Sequence, residues 1–157
     1  MWKSLPRALA ATLCALFVAG GAAAAVAPRE VKVFLVALDD AGKRGRKIGC
    51  DDSLVPVTRA VKAGRAPLRA AVEELLSLPR EYEGGLSNYW RGEGLRVRSV
   101  TLRRGTATIR ITGTLPVAGV CDVPRIEEQI KETARQFPGV KRVSVFVNGR
   151  PLSEAIG

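Results

Sequence analysis

The clearest pattern of apolar and polar positions falls in residues 123–152. Val123, Ile126, Ile130, Ala134 and Phe137 recur every three or four residues, which lines one face of a helix. Asp122 stands where an N-cap belongs, and Pro124 falls in the first turn, where a missing N–H costs nothing. Pro138-Gly139 stops the helix. Val143, Val145 and Val147 then alternate with Arg142, Ser144 and Phe146, the period of a strand. Asn148-Gly149 supplies a turn pair that tolerates positive φ. A striped helix with a Val-rich strand close behind it predicts α/β packing, and the rest of the chain must supply the other strands.

Residues 31–38 are apolar except for Lys32, as in a strand covered on both faces. Residues 54–61 alternate, and Pro56 confines them to a sheet edge or a broken strand. Pro67 opens a helix striped by Leu68, Ala71, Val72, Leu75 and Leu76, and Pro79 marks its end. Leu95 and Val97 alternate, then the phase slips to Val100 and Leu102, so one extra residue near Arg98-Ser99 predicts a β-bulge. After a turn at Arg104-Gly105, Ala107, Ile109 and Ile111 share one face, with Thr106, Thr108, Arg110 and Thr112 on the other. The order β, β, α, β, β, α, β predicts an α+β fold. It is a mixed four- to five-stranded sheet with two amphipathic helices packed mainly on one face.

Residues 1–27 stand outside this pattern. Lys3 and Arg7 precede an apolar run and a small-residue stretch, the layout of a secretory signal peptide cleaved between about 24 and 27. The apolar run is short for a transmembrane anchor. Leu13 before Cys14 is too large for a lipid-attachment site. Residues 28–157 then form one domain with no transmembrane segment, long enough for a real core. The full sequence has 25 basic and 15 acidic residues, and the leader removes two of the basic ones, which leaves a net charge of +8. Such a surplus on an exported protein favours an envelope protein or an anionic wall or membrane polymer as partner, and export argues against nucleic acid. A plain solvated surface gives the same composition.

Charge and chemistry narrow the picture further. Cys50 and Cys121 remain after cleavage, and an even pair in an exported protein predicts a disulfide, with two separate buried thiols as the alternative. Lys43, Arg44, Arg46 and Lys47 lie among Gly42, Gly45 and Gly49, either as a projecting finger for an anionic partner or as a solvated connector. Tyr82, Tyr89 and Trp90 lie in a Gly-rich loop, where they either meet a ligand or fold back on the core. A disulfide would gather Asp51, Asp52 and Asp122, a weak candidate calcium site, against the simpler reading of a helix cap and two solvated carboxylates. The absence of histidine removes Ser-His-Asp and Cys-His pairs and most zinc sites. No phosphate loop, dinucleotide fingerprint or paired-carboxylate motif occurs, so no cofactor and no catalytic residue is expected.

Taken together, residues 31–151 resemble the sporulation and spore germination domain called GerMN. The resemblance rests on VKVFLVAL, LVPVTRAV, PLRAAVEELLSLP and LRVRSVTLRRGTATIRITG, and most specifically on QIKETARQFPGVKRVSVFVNGRPL. It implies a small α+β module of exported bacterial proteins, here a single-domain secreted member, and in sporulating bacteria a role in assembly at the spore envelope. The resemblance carries no catalytic residues. The expected function is a non-enzymatic binding or scaffolding module of the cell envelope. The alternatives are a carboxylate-dependent peptidoglycan hydrolase and a calcium-dependent adhesion module.

Overall fold

The computed structural model describes residues 29–157 except Ala63, so the expected leader lies outside the described residues. Strand β1 (Arg29–Ala37) pairs antiparallel with β3 (Ser53–Val61) over its whole length, and β2 (Arg46–Lys47) adds to the far edge of β3. Helix α1 (Pro67–Ser77) follows, with Pro67 in its first turn. The Gly-rich loop contributes a small hairpin, β4 (Glu81–Tyr82) and β5 (Leu86–Ser87), and β5 pairs with the end of β1. This completes a five-stranded sheet in the order β2-β3-β1-β5-β4.

A second sheet holds β6 (Arg96–Arg103), β7 (Thr106–Thr112), β8 (Arg142–Val147) and β9 (Arg150–Pro151), in that order. Its register shifts between Val97 and Ser99, where the slip in alternation places a bulge. β7 and β8 run parallel, joined by the crossover through α2 (Asp122–Arg135), while the other pairs are antiparallel. A short α3 (Leu152–Ile156) ends the chain. The α+β class and the mixed pairing match the pattern reading. The strands divide between two sheets, however, rather than forming one.

The reason lies at the free edge of β1. β5 covers only Val36 and Ala37, which leaves the N–H and C=O groups that Lys32 and Phe34 direct away from β3 without a strand partner. Side chains of α2 take the place of a neighbouring strand. Gln136 accepts from the Lys32 N–H at 2.8 Å and donates to its carbonyl at 2.5 Å. Thr133 accepts from the Phe34 N–H at 3.1 Å, and Gln129 donates to the Phe34 carbonyl at 2.9 Å. Gln129 and Thr133 thus serve the two polar groups of Phe34, and Gln136, about one turn further on, serves both of Lys32, two residues away along the strand. An edge saturated in this way cannot accept β6–β9, and it is also closed to aggregation.

Both helices join the sheets. α1 packs against β1, β3 and β6, and α2 against β1, β8 and α1. Val33, Leu35, Leu75, Ile109, Ile126 and Ile130 meet in one core without solvent exposure. Among the described residues, no helix is long and apolar enough to cross a membrane.

Candidate functional site

Two regions concentrate charge. The first is the corner between residues 39–53 and the start of α2. Cys50 and Cys121 form a disulfide there, 71 residues apart in sequence. The basic loop lies flat instead of projecting. Arg46 enters β2 and pairs with Glu128 of α2 at 2.6 Å, and Lys47 pairs with Asp51 at the same distance. Gly45 sits so close to the backbone of Leu54 that a Cβ would collide with it, so only glycine fits. Asp40 secures the loop by accepting from the Ser53 hydroxyl at 2.6 Å and the Arg44 N–H at 2.7 Å. The Ser53 hydrogen bond, with the Arg44 N–H and charge, holds the Asp40 pKa below its ordinary value. Lys43 and Arg44 alone of the four cations are exposed without an ion pair among the described residues.

Asp52 and Asp122 do converge, but around an arginine. Arg125 donates to fully buried Asp52 at 2.5 Å and to Asp122 at 3.4 Å. Burial alone would lower the Arg125 pKa, and the two carboxylates with Tyr89 reverse this and raise it. Asp122 is the first residue of α2 rather than its N-cap, and its other oxygen accepts from the Ala118 N–H at 2.9 Å. Asp51 turns away to Lys47, whose hydrogen bond lowers its pKa. The guanidinium between the two carboxylates already offsets one of their two charges, and no cluster of three metal-ligating side chains occurs among the described residues.

The aromatic loop folds inward. Trp90 is fully buried and donates from Nε1 to the Ile126 carbonyl at 2.8 Å. Tyr89 is buried, with the guanidiniums of Arg80 and Arg125 over its ring at 3.8 and 5.0 Å. Half-buried Tyr82 accepts from Arg59, which also pairs with Glu74 at 2.8 Å. The Glu74 hydrogen bond raises the Arg59 pKa against the opposing effect of burial. Tyr89 and Trp90 therefore brace the core, and Tyr82 stays half-buried beside Arg59.

The second region is the outer face of the four-stranded sheet. Val97, Val100, Ile109, Ile111, Val145 and Val147 point to the core, so their neighbours point away from it. Register sets those neighbours in rows. Arg103, Thr106 and Arg142 form one row, Thr101, Thr108 and Ser144 the next, and Ser99, Arg110 and Phe146 a third; Arg96 faces Thr112 beyond the bulge. All are exposed or half-buried. Arg110 lies over the Phe146 ring at 5.1 Å, and Arg142 donates to the Thr106 hydroxyl at 3.3 Å. At one end, Lys141 packs beside Gly105, next to Arg104. No acidic residue occurs in 95–121 or 138–152, and none of these arginines has an ion pair among the described residues. The alternation of Thr and Arg along β7 was visible in sequence, but the register that gathers arginines from three strands was not.

The molecule is thus a disulfide-braced α+β domain with an open, one-signed sheet face. The sporulation and spore germination family, Germane, matches residues 33–153, and the chain belongs to it. The fold is similar to the tandem GerMN domains of the sporulation protein GerM from Bacillus subtilis, with a TM-score of 0.58 and 22% identity over 83% of this chain and 43% of that one. The chain therefore spans less than half the length of that tandem structure. It is also similar to the first GerMN domain of that protein, with a TM-score of 0.58 and 18% identity over 81% of this chain and 88% of that one. No curated protein matches.

Proposed function

We propose that the protein is a non-enzymatic, exported binding or scaffolding module of the bacterial envelope, working in sporulation or germination where its host undergoes them. One observation carries this reading. Arg96, Arg103, Arg110 and Arg142, which form no ion pair among the described residues, lie together on the open face of the four-stranded sheet. The buried carboxylates, by contrast, are engaged in structural pairs such as Asp52–Arg125, where neither is available for proton transfer. The partner is an envelope protein or an anionic wall or membrane polymer. Lys43 and Arg44 lie outside the four-stranded sheet and form a secondary contact at most.

The test incubates purified mature protein with isolated wall and membrane fractions and assays both sedimentation and muropeptide release. Salt-sensitive binding without release supports the reading. Release that disappears on replacing a single Asp or Glu would establish the hydrolase instead.

A further inference from the structure

We propose that the outer face of β6–β8 is a docking surface for a linear phosphodiester polymer of the cell wall. This rests on the reading of that face as the binding surface, and it names the partner by its charge chemistry. The face presents Arg96, Arg103, Arg110 and Arg142 outward, with Arg104 and Lys141 at its rim and no carboxylate between them.

Spacing supports a polymer over a single anion. Rows on one face of a strand are about 7 Å apart, and residues two strands apart are about 10 Å apart. Arg103 and Arg142 are separated in the second way within one row. Arg110 lies two rows further along β7 from Thr106, on the strand between them. Arg103 and Arg142 therefore lie near the screening length of about 8 Å at physiological salt, as do Arg110 and Arg96, with roughly 15 Å between the two pairs, so a chain of anions can engage both pairs while one small anion meets a single guanidinium.

Side-chain type suits phosphate. The outward cations of the three long strands are all arginine, whose planar fork binds phosphate oxygens in pairs. The intervening positions are hydroxyls, Thr101, Thr106, Thr108 and Ser144, which hydrogen-bond either to phosphate or to sugar or polyol hydroxyls. A bilayer surface fits less well. Phe146 is the one large apolar side chain on these rows, it is half-buried under Arg110, and a flat sheet has no wedge to insert. Single-stranded nucleic acid needs several stacking platforms, and the face has one ring already covered by a cation.

The experiment compares wild type with R96Q/R103Q/R110Q/R142Q and with a charge-matched control, R29Q/K32Q/K62Q/R91Q, at exposed cations outside both charged regions. Circular dichroism melts first establish that each variant is folded. Should the four-site variant unfold, R103Q/R142Q against R29Q/K62Q gives the same comparison with half the charge change. Binding is measured across a salt series to poly(glycerol phosphate), to polyglutamate of equal charge, and to vesicles of phosphatidylglycerol and phosphatidylcholine. Wild type should bind poly(glycerol phosphate) at least tenfold more tightly than polyglutamate and more tightly than the vesicles. The sheet variant should lose more than tenfold and flatten the salt slope by about 3, because each neutralised phosphate contributes about 0.7–0.9. The control should change little.

Equal loss in both variants, or none in either, overturns the assignment of this face. Equal binding to polyglutamate overturns phosphate selection, and preference for vesicles makes the surface a membrane contact. Sedimentation of the same variants with whole envelope fractions separates the two levels of the argument. Loss there with no polymer binding leaves the face as a binding surface for another partner, whereas retention there sinks both.

Discussion

The disulfide corner and the outer sheet face are both rich in charge, and they treat it in opposite ways. In the corner, Arg46, Lys47 and Arg125 meet Glu128, Asp51 and Asp52, and the loop that carries the cations is pinned to β3. On the sheet face, Arg96, Arg103, Arg110 and Arg142 form no ion pair among the described residues. Density of charge along the chain and availability of charge in the fold are therefore different properties. Of four cations within five residues, Arg46 and Lys47 meet carboxylates. Arginines spread over three strands gather on one face because the opposite face must be apolar.

The comparison can be broken, or sharpened, most forcefully at the disulfide. Replacing Cys50 and Cys121 together with serine should destabilise the domain by roughly 4 kcal/mol, the chain-entropy effect of opening so long a loop. Urea denaturation of the oxidised protein and of the variant measures this. Thiol titration of unfolded, unreduced wild type should find no free thiol, and a variant as stable as wild type would remove the corner's structural role.

Next in size is Arg125→Met. It leaves Asp52 fully buried without its cation, at a cost of about 3 kcal/mol. The same denaturation series detects it. A much smaller cost would mean that Asp52 escapes to water or is satisfied by its remaining bond from the Asp39 N–H.

A gentler probe is pH. Asp40 has a lowered pKa in the fold, so its support of the loop is fully present above its ordinary value of 3.8 and fades as pH falls through the lower folded value. Amide exchange at Gly42 and Arg44 should accelerate in that range relative to the rest of the domain. In Asp40→Asn that extra acid-dependent step should be missing.

The smallest effect on stability is expected on the open face. Removing all four of its arginines should change stability by no more than about 1 kcal/mol, since only the Arg142–Thr106 hydrogen bond and the Arg110–Phe146 contact, both at the surface, are lost. A fall of several kcal/mol would show that this face is structural after all and would erase the contrast with the corner.

Much of the local fold could be read from residue spacing. The stripe from Ile126 to Ala134, the bulge at Val97/Ser99 and the positive φ of Arg104 and Asn148 in their turns follow from short-range periodicity and sterics. The family resemblance was also legible, because its motifs cover most of the domain. The candidate contacts were harder. The basic loop was singled out for its composition, yet what flattens it is Glu128 on α2, 82 residues away. Tyr89 and Trp90 were ambiguous as loop aromatics until Gln129 and Ile126 of α2 received their N–H groups.

By itself, the sequence determined the order of the long helices and strands, the inward and outward side of each, the surplus of cations and the pair of cysteines. Those properties depend on neighbours within a few residues, or on counting. Tertiary structure alone decided that α2 takes the place of a strand beside Lys32 and Phe34, that the strands divide into two sheets, and which cations find carboxylates. The physical reason is that hydrogen bonds and ion pairs act over a few ångströms in space, while their partners here lie as far as 104 residues apart along the chain.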